Sequence, residues 1–256
     1  MGKIIAVVNQ KGGVGKTTTA VNMTAGIGIA GKKVLLVDAD PQGNSTSGYG
    51  ISKKENRESC YELLIGKARV ENVIVKTAYK GVDIIPSSMD LAAAEVDLIE
   101  TEHREAMLKR ALAPVRENYD YIFIDCPPSL GLITINALNA SDGVLVPIQC
   151  EYYALEGLSQ LMASIRQVKR LYNPTIEIEG IVLTMFDGRL NLTNQVVGEI
   201  KKYFADKLYK HTVPRAVRIS EAPSYGMPIQ YYDKRSKGTD AYNAIAKEFL
   251  KKNRRD

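Results

Sequence analysis

The most informative stretch of this chain is Asn9-Gln10-Lys11-Gly12-Gly13-Val14-Gly15-Lys16-Thr17-Thr18. It follows an apolar, β-branched run at residues 4–8 and precedes a stretch of small residues at 18–30. The first pattern predicts a buried parallel strand and the second a helix. Glycines between a strand and a helix let backbone N–H groups turn toward an anion, and the helix adds the positive end of its dipole. The stretch therefore predicts a phosphate-binding loop.

The start of this loop departs from the plain Walker A pattern of phosphate-binding loops. That pattern has a glycine five residues before Gly15, where this chain has Gln10 and then a second lysine, Lys11. In the plain pattern a lysine at the position of Lys16 reaches the β- and γ-phosphates, and a hydroxyl at the position of Thr17 ligates Mg²⁺. From the residues alone, a solvated surface lysine is the alternative interpretation of Lys11.

Carboxylates follow two further predicted strands. Asp38 and Asp40 come at the end of an apolar run at residues 33–38, and Asp125 ends another run at 121–125. Ligands of doubly wound sheets bind at the carboxyl ends of strands, so we expect these carboxylates near the phosphate loop if the strands are neighbours. The turn-forming residues that follow Asp40 leave a simple turn as the alternative for that stretch.

Strand and helix patterns alternate along the whole chain. They include a predicted helix at residues 104–117, a short strand at 213–215 and a final helix at 240–252. Such alternation predicts the α/β class, with a single doubly wound, mostly parallel sheet and helices on both faces. We find no linker, repeat or low-complexity segment in the sequence, and therefore expect one domain over residues 1–256.

Composition limits the classes of function. The chain has 256 residues, of which 45% are hydrophobic and 25% charged, as is ordinary for a soluble protein with a full core. Its three cysteines form no C-x-x-C pair, no uncharged run is long enough to span a bilayer, and no signal peptide precedes the first predicted strand. We therefore expect a cytoplasmic protein with reduced thiols.

The net charge of +5 is unevenly distributed. Residues 201–256 contain 14 Lys and Arg against 6 Asp and Glu, whereas residues 1–200 contain 20 against 23. The basic end of the chain indicates a polyanionic partner, either nucleic acid or a membrane surface. A solvated, lysine-rich face is the alternative.

Motifs along nearly the whole chain resemble the ParA/MinD family of ATPases, which are P-loop NTPases. The loop has the form K-G-G-x-G-K-T-T of the deviant Walker A motif, and V-D-x-D-P-Q-G-N resembles the Walker A′ motif of the same family. The segments D-C-P-P-S-L-G-L-x-T-x-N-A-L and R-x-S-E-A-P-S-x-G-x-P resemble the ParA/Soj branch, which partitions chromosomes and plasmids. The resemblance implies slow, partner-stimulated hydrolysis of ATP to ADP and phosphate.

The same resemblance implies a site for ATP and Mg²⁺. Lys11 would act on the nucleotide of a partner subunit and Lys16 on its own, and with the water-positioning Asp40 these are the three implied catalytic residues. Thr17 would hold Mg²⁺ directly, and Asp125 would do so through water. The other implied nucleotide contacts are Gly12, Gly13, Val14, Gly15 and Thr18 at the phosphates and Pro214, Arg215 and Ala216 at the adenine.

The resemblance also implies partners. An ATP-bound sandwich homodimer would bind double-stranded DNA without sequence preference through Arg189 and Arg218. A ParB-like centromere-binding protein would release the dimer by stimulating hydrolysis. Each arginine lies in a glycine- or proline-flanked predicted loop toward the basic end of the chain, which suits phosphate contact. We therefore expect a nucleoid-associated protein of the cytoplasm.

Three alternative classes of protein make different demands on the sequence. A MinD-like membrane ATPase needs a C-terminal amphipathic helix with a large apolar face, but residues 247–256 are basic with few membrane anchors. An iron–sulfur carrier needs cysteines at cluster spacing, which Cys60, Cys126 and Cys150 lack. A non-hydrolysing nucleotide sensor does not need the full set of implied catalytic residues. We therefore expect a partitioning ATPase that does not bind membranes, and ATP rather than GTP because no N-K-x-D motif is present.

Overall fold

The computed structural model describes residues 2–53 and 58–254. Within them, β1 (Lys3–Val7) lies inside a sheet, with β5 (Tyr121–Asp125) on one side and β6 (Gly143–Gln149) on the other. These strands are aliphatic and β-branched runs that are buried on both faces, as parallel strands covered by helices are. The other strands of the sheet are β2 (Val34–Asp38), β3 (Val75–Lys76), β4 (Val82–Ile85) and β7 (Glu177–Thr184).

The strands follow the order β3-β4-β2-β5-β1-β6-β7. Every neighbouring pair is parallel except β3 and β4, which pair antiparallel at one edge. The chain first builds the sheet to one side of β1 and later continues on the other side with β6 and β7. In sheets of this kind the crevice beside the carboxyl ends of the strands, where the order reverses, is the place where ligands bind.

Helices connect the strands and lie on both faces of the sheet. Short 3-10 turns occur at Met89–Ala93, Arg104–Ala106, Ala113–Asn118 and Ala222–Tyr225. The helices of the described residues are α1 (Lys16–Ile29), α2 (Asn44–Gly48), α3 (Cys60–Leu64), α4 (Val70–Val73), α5 (Ala94–Asp97), α6 (Met107–Leu112), α7 (Leu132–Ala140), α8 (Ala154–Leu171), α9 (Asn191–Phe204), α10 (Val217–Glu221), α11 (Ile229–Tyr232) and α12 (Lys237–Lys252).

Alternate residues of β1 point into two separate hydrophobic cores. Ile4 packs in a core with residues of α3, α6, α7, α8 and α9, whereas Ile5 packs in another with residues of α1 and α12. The second core contains Phe123 and Phe249, whose ring centroids lie 5.5 Å apart. Helices on both faces of a mostly parallel sheet confirm the predicted doubly wound α/β class.

Two predicted elements are wrong, and a proline lies within each. Residues 104–117 do not form one α-helix, because 104–106 form a 3-10 turn and α6 covers only Met107–Leu112. The end of α6 is explained by Pro114, which has no N–H to donate to the preceding turn, so α6 gives way to a second 3-10 turn. Residues 213–215 do not form a strand. Pro214 makes only an isolated parallel bridge with Phe186, since it cannot donate to a ladder.

Candidate nucleotide-binding site

The loop after β1 has the backbone that its glycines predict. Gly13 and Gly15 have φ angles of +73° and +86°, in the left-handed region that favours glycine, and Gly15 comes directly before α1. A Cβ atom added at Gly12 or Gly13 would meet nothing within 4 Å in the described part of the chain outside its own neighbours. The loop therefore faces open space at a helix N-terminus, an arrangement that suits phosphate.

Lys16 is the first residue of α1 and is almost fully buried. Its Nζ donates a hydrogen bond to the Lys11 carbonyl oxygen at 3.1 Å, so the side chain folds back along the loop. Burial lowers the pKa of Lys16, while the nearby charges of Asp125 and Asp40 act in the opposite direction. The structure thus brings the predicted loop lysine together with both predicted carboxylates.

Asp125 ends β5, in register with Val7 of β1 and Asp38 of β2. Its Oδ2 accepts a hydrogen bond from Ser45 Oγ at 2.8 Å, while Oδ1 is buried without a hydrogen-bond partner in the part of the chain that the structure describes. Burial raises the pKa of Asp125 and the Asp38 carboxylate raises it further, whereas the hydroxyls of Ser45 and Thr17 oppose the shift. A cation bound nearby would favour the ionised form of a buried carboxyl group whose pKa is raised in this way.

The surroundings of Asp125 fit a magnesium ion. Mg²⁺ takes oxygen ligands and is usually held by one or two protein groups together with water and substrate phosphates. The unpartnered Oδ1 of Asp125 and the Thr17 hydroxyl are oxygen donors of this kind. Across residues 2–53 and 58–254, no three His, Cys, Asp or Glu side chains are grouped as a metal site, so the nucleotide would have to supply further ligands.

Asp40 is buried in the loop that follows β2. Its Oδ1 accepts a hydrogen bond from the Gln42 N–H at 2.9 Å, and its carbonyl oxygen accepts one from the Gly43 N–H at 2.8 Å. The stretch is therefore a turn, as the alternative interpretation predicted. The turn nevertheless holds the carboxylate near Lys16, so the two interpretations are compatible.

Asp38 anchors the start of α2 to the sheet, a contact that the sequence did not predict. Its Oδ2 accepts hydrogen bonds from both the N–H and the hydroxyl of Thr46 at 2.7 Å. The Thr46 hydroxyl in turn accepts a hydrogen bond from the Ser87 N–H at 2.9 Å. With Ser45 bound to Asp125, two consecutive hydroxyls of α2 therefore tie the Asp40 turn to the two buried carboxylates. The only signal in the sequence was the adjacent Ser-Thr pair, which is typical of many helix starts.

Lys11 is not a free surface lysine in this structure. Its Nζ forms an ion pair with Glu151, which follows β6 and is 140 positions away in the sequence. The Lys11 N–H donates to Asn9 Oδ1 at 3.0 Å, and the buried Asn9 side chain donates to the Pro147 carbonyl oxygen at 2.8 Å. Asn9 and Glu151 were both missed, although a polar residue at the end of the apolar run was a signal for Asn9.

The predicted adenine segment also lies at the carboxyl ends of the strands, beside the glycine loop. The hydroxyl of Thr184, at the end of β7, donates to the Val14 carbonyl oxygen at 2.7 Å. Two residues further on, the Phe186 N–H donates to the Val213 carbonyl oxygen at 2.9 Å, which fixes the start of the segment. Of the predicted contacts that follow, Pro214 and Ala216 are half-buried and Arg215 is exposed.

The two predicted DNA-binding arginines lie on the surface and are engaged in ion pairs. Arg189 bonds to both carboxylate oxygens of Asp187, at 2.9 and 2.6 Å. Arg218, in α10, donates to Glu221 at 3.0 Å and lies 6.0 Å from the centroid of the Tyr232 ring. Exposed ion pairs of this kind contribute little stability. A DNA phosphate could therefore replace Asp187 as the partner of Arg189, or Glu221 as the partner of Arg218.

The site thus combines an open glycine loop at the end of a central strand, a buried lysine and two carboxylates from neighbouring strands. On a doubly wound sheet, these features define a P-loop nucleotide-binding protein.

Comparison with known proteins identifies the family. A protein-family model described as an AAA domain matches residues 2–178. The chain is 58% identical over 248 residues to the sporulation initiation inhibitor protein Soj of Bacillus subtilis (strain 168), covering 97% of this chain and 98% of that protein. It is 46% identical over 250 residues to the chromosome-partitioning ATPase Soj of Treponema pallidum (strain Nichols), covering 98% of each. The chain therefore belongs to this AAA-domain family and, within it, to the Soj/ParA partitioning proteins.

A solved structure has the same architecture. It is a Mycobacterium smegmatis protein described as cobyrinic acid a,c-diamide synthase, with bound ADP and magnesium, and it matches with a TM-score of 0.84 and 34% identity. The alignment covers 98% of this chain and 95% of that chain. The same protein has also been solved with a bound ATP analog and magnesium.

Proposed function

We propose that this chain couples the binding and hydrolysis of ATP to the partitioning of DNA, as one ATPase domain over residues 1–256. The observation that carries the proposal is the convergence of Lys16, Asp40 and Asp125 at the open glycine loop. Phosphoryl transfer to water is assisted by a cationic group at the phosphates, a carboxylate beside the metal and a group that positions the water. Lys16, Asp125 and Asp40 would supply these in that order. The high identity to Soj proteins over almost the full chain supports partitioning as the process served.

ATP would be held mainly at its phosphates. Lys16, the Thr18 hydroxyl and the backbone N–H groups of residues 12–15 would bind the phosphate oxygens, and Pro214, Arg215 and Ala216 would contact the adenine. The open space in front of Gly12 and Gly13 supports this assignment, and so does the bond from Thr184 to Val14, which places the end of β7 beside the loop.

Mg²⁺ would be held by the Thr17 hydroxyl and, through water, by Asp125. When bound, the ion would neutralise charge on the phosphate oxygens. The Ser45 hydroxyl donates to Asp125 Oδ2, so the direction of this carboxylate is set before any ligand arrives. Asp40 would orient the attacking water, a role that needs an ionised carboxylate in a fixed position beside the phosphates.

Lys11 would act on the nucleotide of a second subunit in an ATP-bound homodimer. In the single chain its ammonium group is held by Glu151, so entry into the partner's site requires that ion pair to break. An exposed ion pair costs little to break, and a triphosphate offers more negative charge than one carboxylate. The exchange of Glu151 for a phosphate would therefore couple dimerisation to assembly of the active site.

Replacing Lys11 with alanine tests this role. We expect Lys11→Ala to keep most of its ATP affinity, because Lys16 and the loop N–H groups remain. Partner-stimulated turnover should fall by about 10²-fold or more, the usual cost of removing a charge-stabilising donor from a transition state. Fluorescent-nucleotide binding and phosphate release with the partner protein measure the two quantities.

A matched control for that variant is Lys32→Ala. Lys32 is also a lysine in a surface ion pair, 3.3 Å from Asp120. It precedes the amino end of β2, however, whereas Lys11 follows the carboxyl end of β1. Both assays should be unchanged in this control. Wild-type stimulated turnover in Lys11→Ala would instead make Lys11 a surface lysine whose only role is the ion pair with Glu151.

The ATP-bound dimer would bind duplex DNA without sequence preference at the bacterial nucleoid, and a ParB-like protein would release it by stimulating hydrolysis. Support comes from the basic balance of residues 201–256 and from the exposure of Arg189 and Arg218. Phosphate contacts through exposed arginines carry affinity but no sequence information.

The membrane alternative is disfavoured by the packing of the last helix. The apolar residues Tyr242, Ile245 and Phe249 of α12 are buried in the core against α1, so that face is not available to a bilayer. Of the predicted basic end at residues 247–256, the last two lie outside the described part of the chain. None of the helices within residues 2–53 and 58–254 combines the length and the apolar character that a membrane span requires.

Co-sedimentation separates the two functions. With ATP and Mg²⁺, we expect the protein to pellet with random-sequence duplex DNA and to stay in the supernatant with anionic liposomes. With ADP it should pellet with neither, because the dimer is absent. Strong ATP-dependent pelleting with liposomes would favour a membrane-positioning ATPase. If the same preparation does not hydrolyse ATP, neither the partitioning ATPase nor the membrane-positioning ATPase is supported.

A further inference from the structure

Residues 89–100 form a segment with two different faces. A 3-10 turn over Met89–Ala93 continues directly into α5, so the segment winds through about three helical turns. Leu91, Ala94 and Leu98 point into the core and are fully buried. This inner stripe packs the segment against the core.

The outer face of the same segment is also apolar. Met89, Val96 and Ile99 are 65%, 67% and 58% exposed. At helical spacing they fall on one side with the exposed Ala92 and Ala93, opposite the buried stripe. Single exposed apolar residues are common on protein surfaces, but a continuous stripe of them is typical of a surface that another molecule covers.

The rim of this stripe is strongly acidic. Residues 89–104 contain five Asp and Glu against one Arg, in a chain whose net charge is +5. That arginine, Arg104, donates to the Ile99 carbonyl oxygen at 2.9 Å at one end of the stripe, and the local charge stays negative. The local charge would repel DNA phosphates and acidic membranes, so neither of these is the ligand of this face. An apolar stripe with an acidic rim is complementary to a helix that carries leucine-like residues on one face and Lys or Arg beside them.

The segment is connected to the nucleotide site at two points. Two residues before it starts, the Ser87 N–H donates to the Thr46 hydroxyl, which itself donates to Asp38. In its middle, Glu95 lies against the loop that follows β5. A Cβ atom at Gly131 would come within 2.0 Å of Glu95 Oε1. A ligand that moved this segment would therefore press on both the Asp40 turn and the loop after Asp125.

We propose that the outer face of residues 89–100 is the docking surface for a cationic amphipathic helix of a partner protein. This inference rests on the proposed function, because docking there would be transmitted to the ATP-hydrolysing site through Thr46 and Gly131. The affinity resides in the apolar stripe, and the acidic rim selects a basic partner and speeds its association.

A synthetic peptide tests the surface directly. The probe is a fluorescein-labelled helix with leucines on one face and lysines beside them, and its control has glutamate in place of every lysine. Fluorescence anisotropy should show salt-sensitive binding of the basic peptide alone to the full chain with ATP and Mg²⁺. The triple variant Met89→Gln, Val96→Gln, Ile99→Gln should weaken this binding by about tenfold or more, since central apolar anchors dominate such contacts.

Two further variants make the result specific. Leu171→Gln with Tyr203→Gln removes exposed apolar side chains from α8 and α9 and should leave peptide binding unchanged. Glu100→Lys with Glu102→Lys should weaken the binding chiefly at low salt. In hydrogen exchange, the bound peptide should protect amides of residues 89–100 and change exchange at residues 126–131.

Several outcomes would overturn the proposal. They are failure of the basic peptide to bind, equal binding by the triple variant, or protection confined to other residues. Loss of ATP-dependent dimerisation in the triple variant without peptide would show that a second copy of the chain covers the stripe. Basal ATP hydrolysis of the wild type is measured in parallel. If hydrolysis is absent, the proposed function fails, whereas hydrolysis without peptide binding refutes only the docking surface.

Discussion

Replacing Asp40 with alanine is expected to lower ATP turnover by about 10²–10⁴-fold while ATP still binds and the dimer accumulates. The carboxylate is buried beside Lys16 and is fixed by the Gln42 N–H at 2.9 Å, so it can orient a water molecule without rearrangement. Phosphate affinity comes from Lys16 and the loop N–H groups. A carboxylate next to phosphates opposes binding, so its removal should not weaken the affinity for ATP.

Size-exclusion chromatography with light scattering in ATP and Mg²⁺, together with phosphate release, measures both parts of this expectation. Asp40→Asn is the conservative variant, because an amide oxygen can still accept the Gln42 N–H while the negative charge is lost. Asp206→Ala changes a strongly exposed carboxylate and is the matched control. An Asp40→Ala protein that binds ATP but stays monomeric would contradict the assignment, since it would place Asp40 in dimer formation rather than in hydrolysis.

Charge reversal at Arg218, and more strongly at Arg218 and Arg189 together, is expected to abolish retention on random duplex DNA. A two-fold dimer presents both arginines twice on one rigid body, so the second set binds at high effective concentration. Four phosphate contacts would give a slope of about −3.6 for log affinity against log salt concentration. Reversal also removes the cationic partner of Asp187 and of Glu221 in these ion pairs, so each site becomes acidic rather than neutral.

The measurement is an ATP-dependent gel shift over a salt series, with light scattering on the same samples. ATP binding and dimerisation should survive, because both ion pairs lie outside the loop at residues 9–18. Arg110→Glu, at an exposed arginine of α6, is the matched control and should retain DNA binding. Undiminished DNA binding by a dimeric double variant would assign the contact to another face, such as the basic end of α12.

The local parts of the site were predictable from the sequence. The strand, loop and helix of residues 3–29 follow from an apolar run, glycine spacing and small residues, all of which act over a few positions. The strand that ends at Asp125 was predicted at its observed bounds for the same reason. The two wrong elements were also local. Pro114 and Pro214 interrupt backbone hydrogen bonding because they have no N–H. Hydrophobic periodicity alone does not register this loss.

The pairing of distant groups was not predictable in this way. Asp38 lies beside Asp125 because β5 is inserted between β2 and β1, and that order results from packing helices onto both faces of the sheet. The bonds from Ser45 to Asp125 and from Lys11 to Glu151 join residues 80 and 140 positions apart. No periodicity in the chain encodes such contacts, because they exist only once non-local burial has brought separate strand ends to one edge.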